Sequence, residues 1–124
     1  TGGCGPCIVT QDELPMGAIG LEIRTRLNGE IVQSANTDHM IFSVSEVISL
    51  LSACMTLEPG DVVLMGSPAG GGYLRRPPLW LRREDIVEVE IDGIGTLRNY
   101  VGCPPASKAT NVKSQLGLAQ ASKS

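Results

Sequence analysis

The sequence predicts a mainly β chain with one short helix, and three observations carry that reading. Asn28-Gly29 and Asp92-Gly93 each punctuate alternating apolar and polar residues, the pattern of tight hairpins. Ser43-Val44-Ser45-Glu46 precedes apolar residues at helical spacing. The run Val62-Val63-Leu64-Met65 is continuous and apolar, and it empties into a loop where five of the seven positions from 66 to 72 are Gly or Pro.

From Gly2 to Pro15 glycine and proline surround Ile8-Val9, which makes a lead-in loop with at most a brief strand. Leu21, Ile23, Thr25 and Leu27 alternate with Glu22, Arg24 and Arg26, so one face of a strand lies on a core and the other in water. Asn28-Gly29 suits the two positive φ values of a type I′ turn, and Glu30-Ile31-Val32-Gln33 is expected to return antiparallel. Ser34 to Met40 is polar, and Asn36-Thr37-Asp38-His39 either lines a site or caps the next element. His39 reads as a solvated loop residue, because a catalytic imidazole needs a partner in hydrogen-bond reach and no Ser or Cys nucleophile stands at a recognisable spacing. Ser43 to Glu46 is a capping box, and the helix is expected from about Val44 to Cys54. Its stripe of Val44, Val47, Ile48 and Leu51 should pack on the sheet, with Ser45, Ser49 and Ser52 facing away.

Leu57-Glu58-Pro59-Gly60-Asp61 is a Pro-Gly turn into Val62 to Met65, which reads as a strand buried on both faces. The next loop, Gly66-Ser67-Pro68-Ala69-Gly70-Gly71-Gly72, permits positive φ and close approach of a ligand to the backbone. It offers bare N–H groups and the Ser67 hydroxyl to an anion, and is read as the floor of a binding site; the alternative is a surface loop rich in breakers. Arg75-Arg76-Pro77-Pro78 is too proline-rich and charged for a central strand, and forms a loop able to carry cations towards the glycines. Leu81-Arg82-Arg83-Glu84-Asp85 repeats the Leu-to-Asp offset of the earlier turn ahead of the strand Ile86 to Ile91. In that strand Val87, Val89 and Ile91 take the core face. Glu88 and Glu90 then share the outer face at about 7 Å, a spacing open to a divalent cation, although such a stripe is more simply a solvated face. Asp92-Gly93 turns the chain, Ile94 to Val101 returns, and 102–124 is expected to be a loose tail.

Composition narrows the function. In 124 residues the apolar content is 42% but aromatics are only 3%, so any core is aliphatic. Ten basic against thirteen acidic residues give a net charge of -3, with no footprint for nucleic acid or an acidic membrane as partner. No window approaches the about 18 apolar residues of a spanning helix, and no signal-peptide order opens the chain, so a cytoplasmic location is expected. The chain opens on Thr1 rather than Met, and is expected to be a piece of something longer. Cys4-Gly5-Pro6-Cys7 spells a thioredoxin-type dithiol, but only three residues precede it and Ile8-Val9-Thr10 after it is β-like. A dithiol redox protein is therefore a minor alternative. A zinc site would need a second close pair, and Cys54 and Cys103 stand apart.

Taken together, Gly5-Pro6, Ile8-Val9-Thr10, Asp12-Glu13, Asn28-Gly29-Glu30, Asn36-Thr37, Met40 to Ser43, Thr56 to Val62, Gly66 to Gly70, and Glu88-Val89-Glu90-Ile91 with Gly93 to Asn99 resemble the fumarylacetoacetate hydrolase family. The likeness covers most of residues 5 to 101, and Arg75-Arg76-Pro77-Pro78 looks most like 2-hydroxyhepta-2,4-diene-1,7-dioate isomerases and acylpyruvate hydrolases. The resemblance implies that residues 1–101 form the C-terminal part of such a catalytic domain, within a β-roll of mixed sheets. It also implies a homodimer or a complementary N-terminal chain, and Mg²⁺- or Mn²⁺-dependent chemistry on 2-oxo acids or their enols. Ser67, Gly66, Pro68, Asn36 and Thr37 are the substrate-binding residues so implied, with Ser67 and the loop amides on the substrate carboxylate. The family's metal carboxylates and its catalytic His, Glu and Lys have no matching position here, so neither catalytic residues nor metal ligands are expected in this chain. Where Ser67 stands the family usually has Thr, and where Arg83-Glu84 stand it usually has Pro-Gly. A truncated, non-enzymatic homologue acting as a dimerising module is the alternative.

Overall fold

The structure is a computed structural model that describes residues 2–102. Four strands, β1 (Glu22–Leu27), β2 (Glu30–Asn36), β3 (Ile86–Ile91) and β4 (Gly95–Tyr100), form one sheet in the order β2-β1-β3-β4, antiparallel throughout. The helix α1 spans Val44–Cys54. The tail expected beyond Gly102 lies outside the described residues.

Local chemistry accounts for the hairpins. Asn28 and Gly29 take φ of +52° and +88°, the two positive values the turn between β1 and β2 demands. Asn28 also reaches the far side of β1. Its N–H donates to the Ile86 carbonyl at 2.9 Å, its Oδ1 accepts from Ile86 N–H at 2.9 Å, and its Nδ2 donates to Asp85 at 3.0 Å. The hairpin turn is thereby locked to the start of β3, which sets Arg24 opposite Glu90 and Arg26 opposite Glu88. The second hairpin has a three-residue connection rather than the expected two, because only Gly93 (φ +76°) is left-handed in it and Ile94 N–H bonds back to Ile91. The strand β2 continues to Asn36, past the expected Gln33. Ladder bonds are made by the backbone, so polar Ser34 can face Arg24, and Ala35 Ile23, without apolar alternation.

Two turns confirm the repeated Leu-to-Asp offset. Asp61 N–H bonds to Glu58 O while the Asp61 carboxylate accepts from Glu58 N–H at 2.9 Å; Asp85 N–H bonds to Arg82 O while its carboxylate accepts from Arg82 N–H at 2.6 Å. The third turn position is left-handed in both, filled by Gly60 (φ +104°) and Glu84 (φ +75°). The Asn28 amide, with the Arg82 N–H, holds the Asp85 carboxyl below the ordinary aspartate range.

The sheet has an apolar and a charged face. Ile23, Leu27, Val87, Val89, Ile91 and Leu97 share the first, together with Thr25 and its partner Gln33. Two loops lie over it. The N-terminal segment covers β4, where Pro6 sits so close to Gly95 that a Cβ there would lie 3.2 Å from its ring, and Leu97 packs beneath Gly5. The glycine loop covers β1 and β2 and leaves a partly open cleft of about 220 Å³ lined by Thr25, Leu27, Gln33, Gly70, Leu79 and Val87 among others.

Two expectations are corrected. Val62 to Met65 joins no strand, and Val62 and Leu64 are 81% and 90% exposed. A strand needs ladder partners, and this run has none among the described residues. The helix begins at its predicted cap, but its main contact is the Met16–Ala18 turn, not the sheet. Val44, Val47 and Leu51 are only half-buried there and Ile48 is exposed. Among the described residues Leu21 alone is a buried hydrophobe, at 7% exposure.

Candidate functional site

The glycine loop is seated on the sheet by two side chains. Gln33 projects from β2 and its amide donates to the Pro68 carbonyl at 3.1 Å and the Ala69 carbonyl at 3.2 Å. Arg75 closes the other end, donating through Nε to Gly70 O at 3.4 Å and through Nη2 to Val32 O. The expected reach of cations towards the glycines is thus met by Arg75. The absence of side chains also lets the loop fit. A Cβ on Gly70 would lie 3.4 Å from Gln33 Cγ, and one on Gly72 would run into the carbonyl oxygen of Leu79, whose N–H closes on Gly72 O at 2.9 Å. Ser67 is exposed at the crest of the loop, and its hydroxyl has no partner among the described residues. Gly66 (φ +103°) and half-buried Pro68 flank it.

Asn36 and Thr37 lie beside the start of β1 and have protein partners. Asn36 donates to Glu22 at 3.1 Å and accepts from Asp38 N–H at 3.0 Å, capping the Thr37–His39 turn. The Thr37 hydroxyl donates to Ala18 O at 2.6 Å and accepts from Leu21 N–H at 2.9 Å. His39 is exposed beside Asp38, at 3.4 Å.

On the charged face the counter-ions of Glu88 and Glu90 are arginines. Arg98 bonds to Glu88 through Nε at 2.7 Å, which pushes the guanidinium above its usual value, and Arg26 bonds to Glu90 at 3.1 Å with Arg24 nearby. Among the described residues no three His, Cys, Asp or Glu side chains come together to hold a metal ion. Cys4 and Cys7 are free and exposed, and residues 2–10 carry no helix whose N-terminus could activate a thiol.

Gln33 was not legible as a site residue, since in sequence it merely ends a strand. No signal in the sequence could have found it, because a register shift between Thr25 and Arg26 sets Gln33 opposite Thr25 on the apolar face, whereas unbroken pairing from the Asn28-Gly29 turn would set it opposite Arg24.

An antiparallel sheet with a glycine loop strapped to its apolar face defines the class, and similarity to known proteins agrees with it. The family model for the fumarylacetoacetate (FAA) hydrolase C-terminal region matches residues 1–102, and the chain belongs to that family. An uncharacterized protein of Staphylococcus aureus (strain USA300) is 47% identical over 103 residues, 82% of this chain and 34% of its own length. A fumarylacetoacetate hydrolase from psychrophilic Exiguobacterium antarcticum is 42% identical over 81% of this chain and 35% of its own, with a TM-score of 0.75. A maleylpyruvate hydrolase from Sphingobium sp. SYK-6, solved in complex with manganese(II) and pyruvate, is 32% identical over 78% and 34%, with a TM-score of 0.68. A 2-hydroxyhepta-2,4-diene-1,7-dioate isomerase from Mycobacterium marinum is 45% identical over 65% and 29%, with a TM-score of 0.56. The chain thus spans about a third of the length of the proteins it matches. Among the described residues no helix is long and apolar enough to cross a membrane.

Proposed function

We propose that this chain is the C-terminal part of a cytoplasmic, divalent-metal-dependent enzyme acting on 2-oxo acids or their enols. The reaction is either hydrolysis of a C–C bond in an acylpyruvate-like β-diketo acid, or isomerisation or decarboxylation of a 2-hydroxy-dienedioate. The part played by these residues is to hold the substrate carboxylate, with the Ser67 hydroxyl and the amides of the glycine loop as donors. Mg²⁺ or Mn²⁺ belongs to the complete enzyme, with ligands from outside the described residues. The observation that carries the reading is the unpartnered Ser67 hydroxyl on a loop seated on the sheet, in a chain similar to a maleylpyruvate hydrolase solved with manganese and pyruvate. Asn36 and Thr37, which already have protein partners, contribute by fixing the approach to β1.

A hydroxyl-to-carboxylate bond is worth about 1.5–3 kcal/mol, so Ser67→Ala in the full-length protein should lower kcat/KM for an acylpyruvate by roughly 10- to 100-fold. Ser67→Thr, which keeps the hydroxyl, should have little effect. An unchanged kcat/KM in Ser67→Ala would remove the anchor role.

A second reading, a dimerising module without activity of its own, is favoured by the exposure of Ile41, Val62, Leu64 and Trp80. In either reading the partner is a second copy of the chain or the complementary N-terminal portion. The mass of the native protein discriminates them: further residues ahead of Thr1 that carry acidic ligands and bring the chain to about three times the matched length belong to the enzyme.

A further inference from the structure

We infer that Gln33, with Arg75, is the positioning residue that turns the amides of the glycine loop outward and so makes it able to hold an anion. The inference rests on the carboxylate-anchor reading of Ser67 and adds the device that shapes the anchor. In a trans peptide the C=O and the following N–H point in opposite directions. The only cis peptides among the described residues precede Pro6 and Pro77, so those from Pro68 to Gly71 are trans. Gln33 draws the Pro68 and Ala69 carbonyls down to the sheet, and Arg75 draws down that of Gly70. The N–H groups of Ala69, Gly70 and Gly71 are therefore turned away from the sheet. None of the three has an acceptor among the described residues.

Three consecutive outward amides, two residues along the chain from the unpartnered Ser67 hydroxyl, make a set of donors of the kind that binds a carboxylate or phosphate oxygen. The geometry explains two sequence choices. Gly70 stands at φ +95°, a value that lets successive carbonyls point the same way and that a side chain would strain. Gln33 supplies two N–H donors from one nitrogen, which Glu, Met or Leu cannot do. The amide sits on the apolar face against the loop, where its two acceptors are 35 and 36 residues distant in sequence. Its role is to orient; it does not itself touch the substrate.

The test uses the full-length protein that carries this chain, with Mn²⁺ present and pyruvate as probe. Gln33→Glu keeps the size but offers carbonyls no donor, and should weaken pyruvate binding by calorimetry about tenfold, the loss of one to two hydrogen bonds. KM for an acylpyruvate should rise by a similar factor with kcat changed less than about threefold, since the carboxylate is held equally in the ground and transition states. The preference for the acid over its methyl ester should fall in parallel, and pyruvate should no longer shift the amide resonances of Ala69, Gly70 and Gly71. Should Gln33→Glu not fold, Gln33→Met is read in the same way. Equal losses for acid and ester, or unchanged pyruvate affinity in a variant while Ser67→Ala loses it, would overturn the positioning role alone. Unchanged affinity and acid preference in Ser67→Ala would overturn the anchor reading and this inference with it.

Discussion

Glu84 stands at φ +75° in the turn that feeds β3, in the place that Gly60 occupies in the equivalent turn before Val62. A residue with a Cβ costs on the order of 1 kcal/mol in the left-handed region, and glycine removes most of that cost. Glu84→Gly is therefore expected to stabilise the protein by about 0.5–1 kcal/mol, seen as a rise of a few degrees in Tm. A lower Tm would show that the Glu84 side chain contributes more than its backbone costs. The repeated Leu-to-Asp offset was legible in the sequence, and the Asp side chains do close both turns. The strain at Glu84 was not, because nothing in Arg83-Glu84 signals a positive φ. Only the resemblance, with Pro-Gly at these positions, marked the turn as unusual. Glu88 and Glu90 teach the same lesson: their spacing was visible from alternation, but their partners Arg98, Arg26 and Arg24 come from neighbouring strands and depend on register.

Elements whose cause is local were readable, and α1 shows why. Ser43 Oγ accepts from Glu46 N–H at 3.3 Å, and the Glu46 carboxylate accepts from Ser43 N–H and from the Ser43 hydroxyl, both at 2.7 Å. Everything needed lies within four residues. The Ser43 hydroxyl, and then its N–H, hold the Glu46 carboxyl below the ordinary glutamate range. A depressed carboxylate contributes stability that is present at and above its ordinary range and is lost as pH falls through the lower folded value. Helix content in far-ultraviolet circular dichroism should accordingly hold above that range and decline on acidification below it. Ser43→Ala, which removes the hydroxyl but keeps the backbone N–H, should move the Glu46 titration, followed by NMR, part of the way back towards the ordinary range, and the lost cap should cost about 1 kcal/mol. A Glu46 titration insensitive to Ser43→Ala would mean the box does not persist in solution. Packing and pairing were less legible. The joining of β1 to β3 spans some sixty residues and turns on Asn28, whose role in sequence was only that of a turn former. Val62 to Met65 carried every local mark of a buried strand, but burial depends on a partner, and no neighbouring strand among the described residues supplies one.

At the scale of the whole molecule the apolar surface is out of proportion to the core. Ordering a residue costs about 1–2 kcal/mol of backbone entropy, which folded domains offset chiefly by burying apolar area. Here Leu21 is the single buried hydrophobe among the described residues, while Val62, Leu64, Ile41, Phe42 and Trp80 face outward. The family members it matches are about three times as long. We expect the isolated 124-residue chain to bind a dye for exposed apolar surface and to unfold over a broad temperature range. Adding the complementary N-terminal portion, or joining it in one polypeptide, should abolish dye binding and produce a sharp transition. Amide exchange at Val62 to Met65 should slow with it, because that run would then gain the ladder partners it lacks. If the isolated chain instead elutes as a monomer, binds no dye and melts cooperatively, the exposed surface needs no partner and both the dimer and the complementation proposals fall. If it becomes dye-silent only as a sharply melting dimer, a second copy suffices, and protection at Val62 to Met65 must come from that copy.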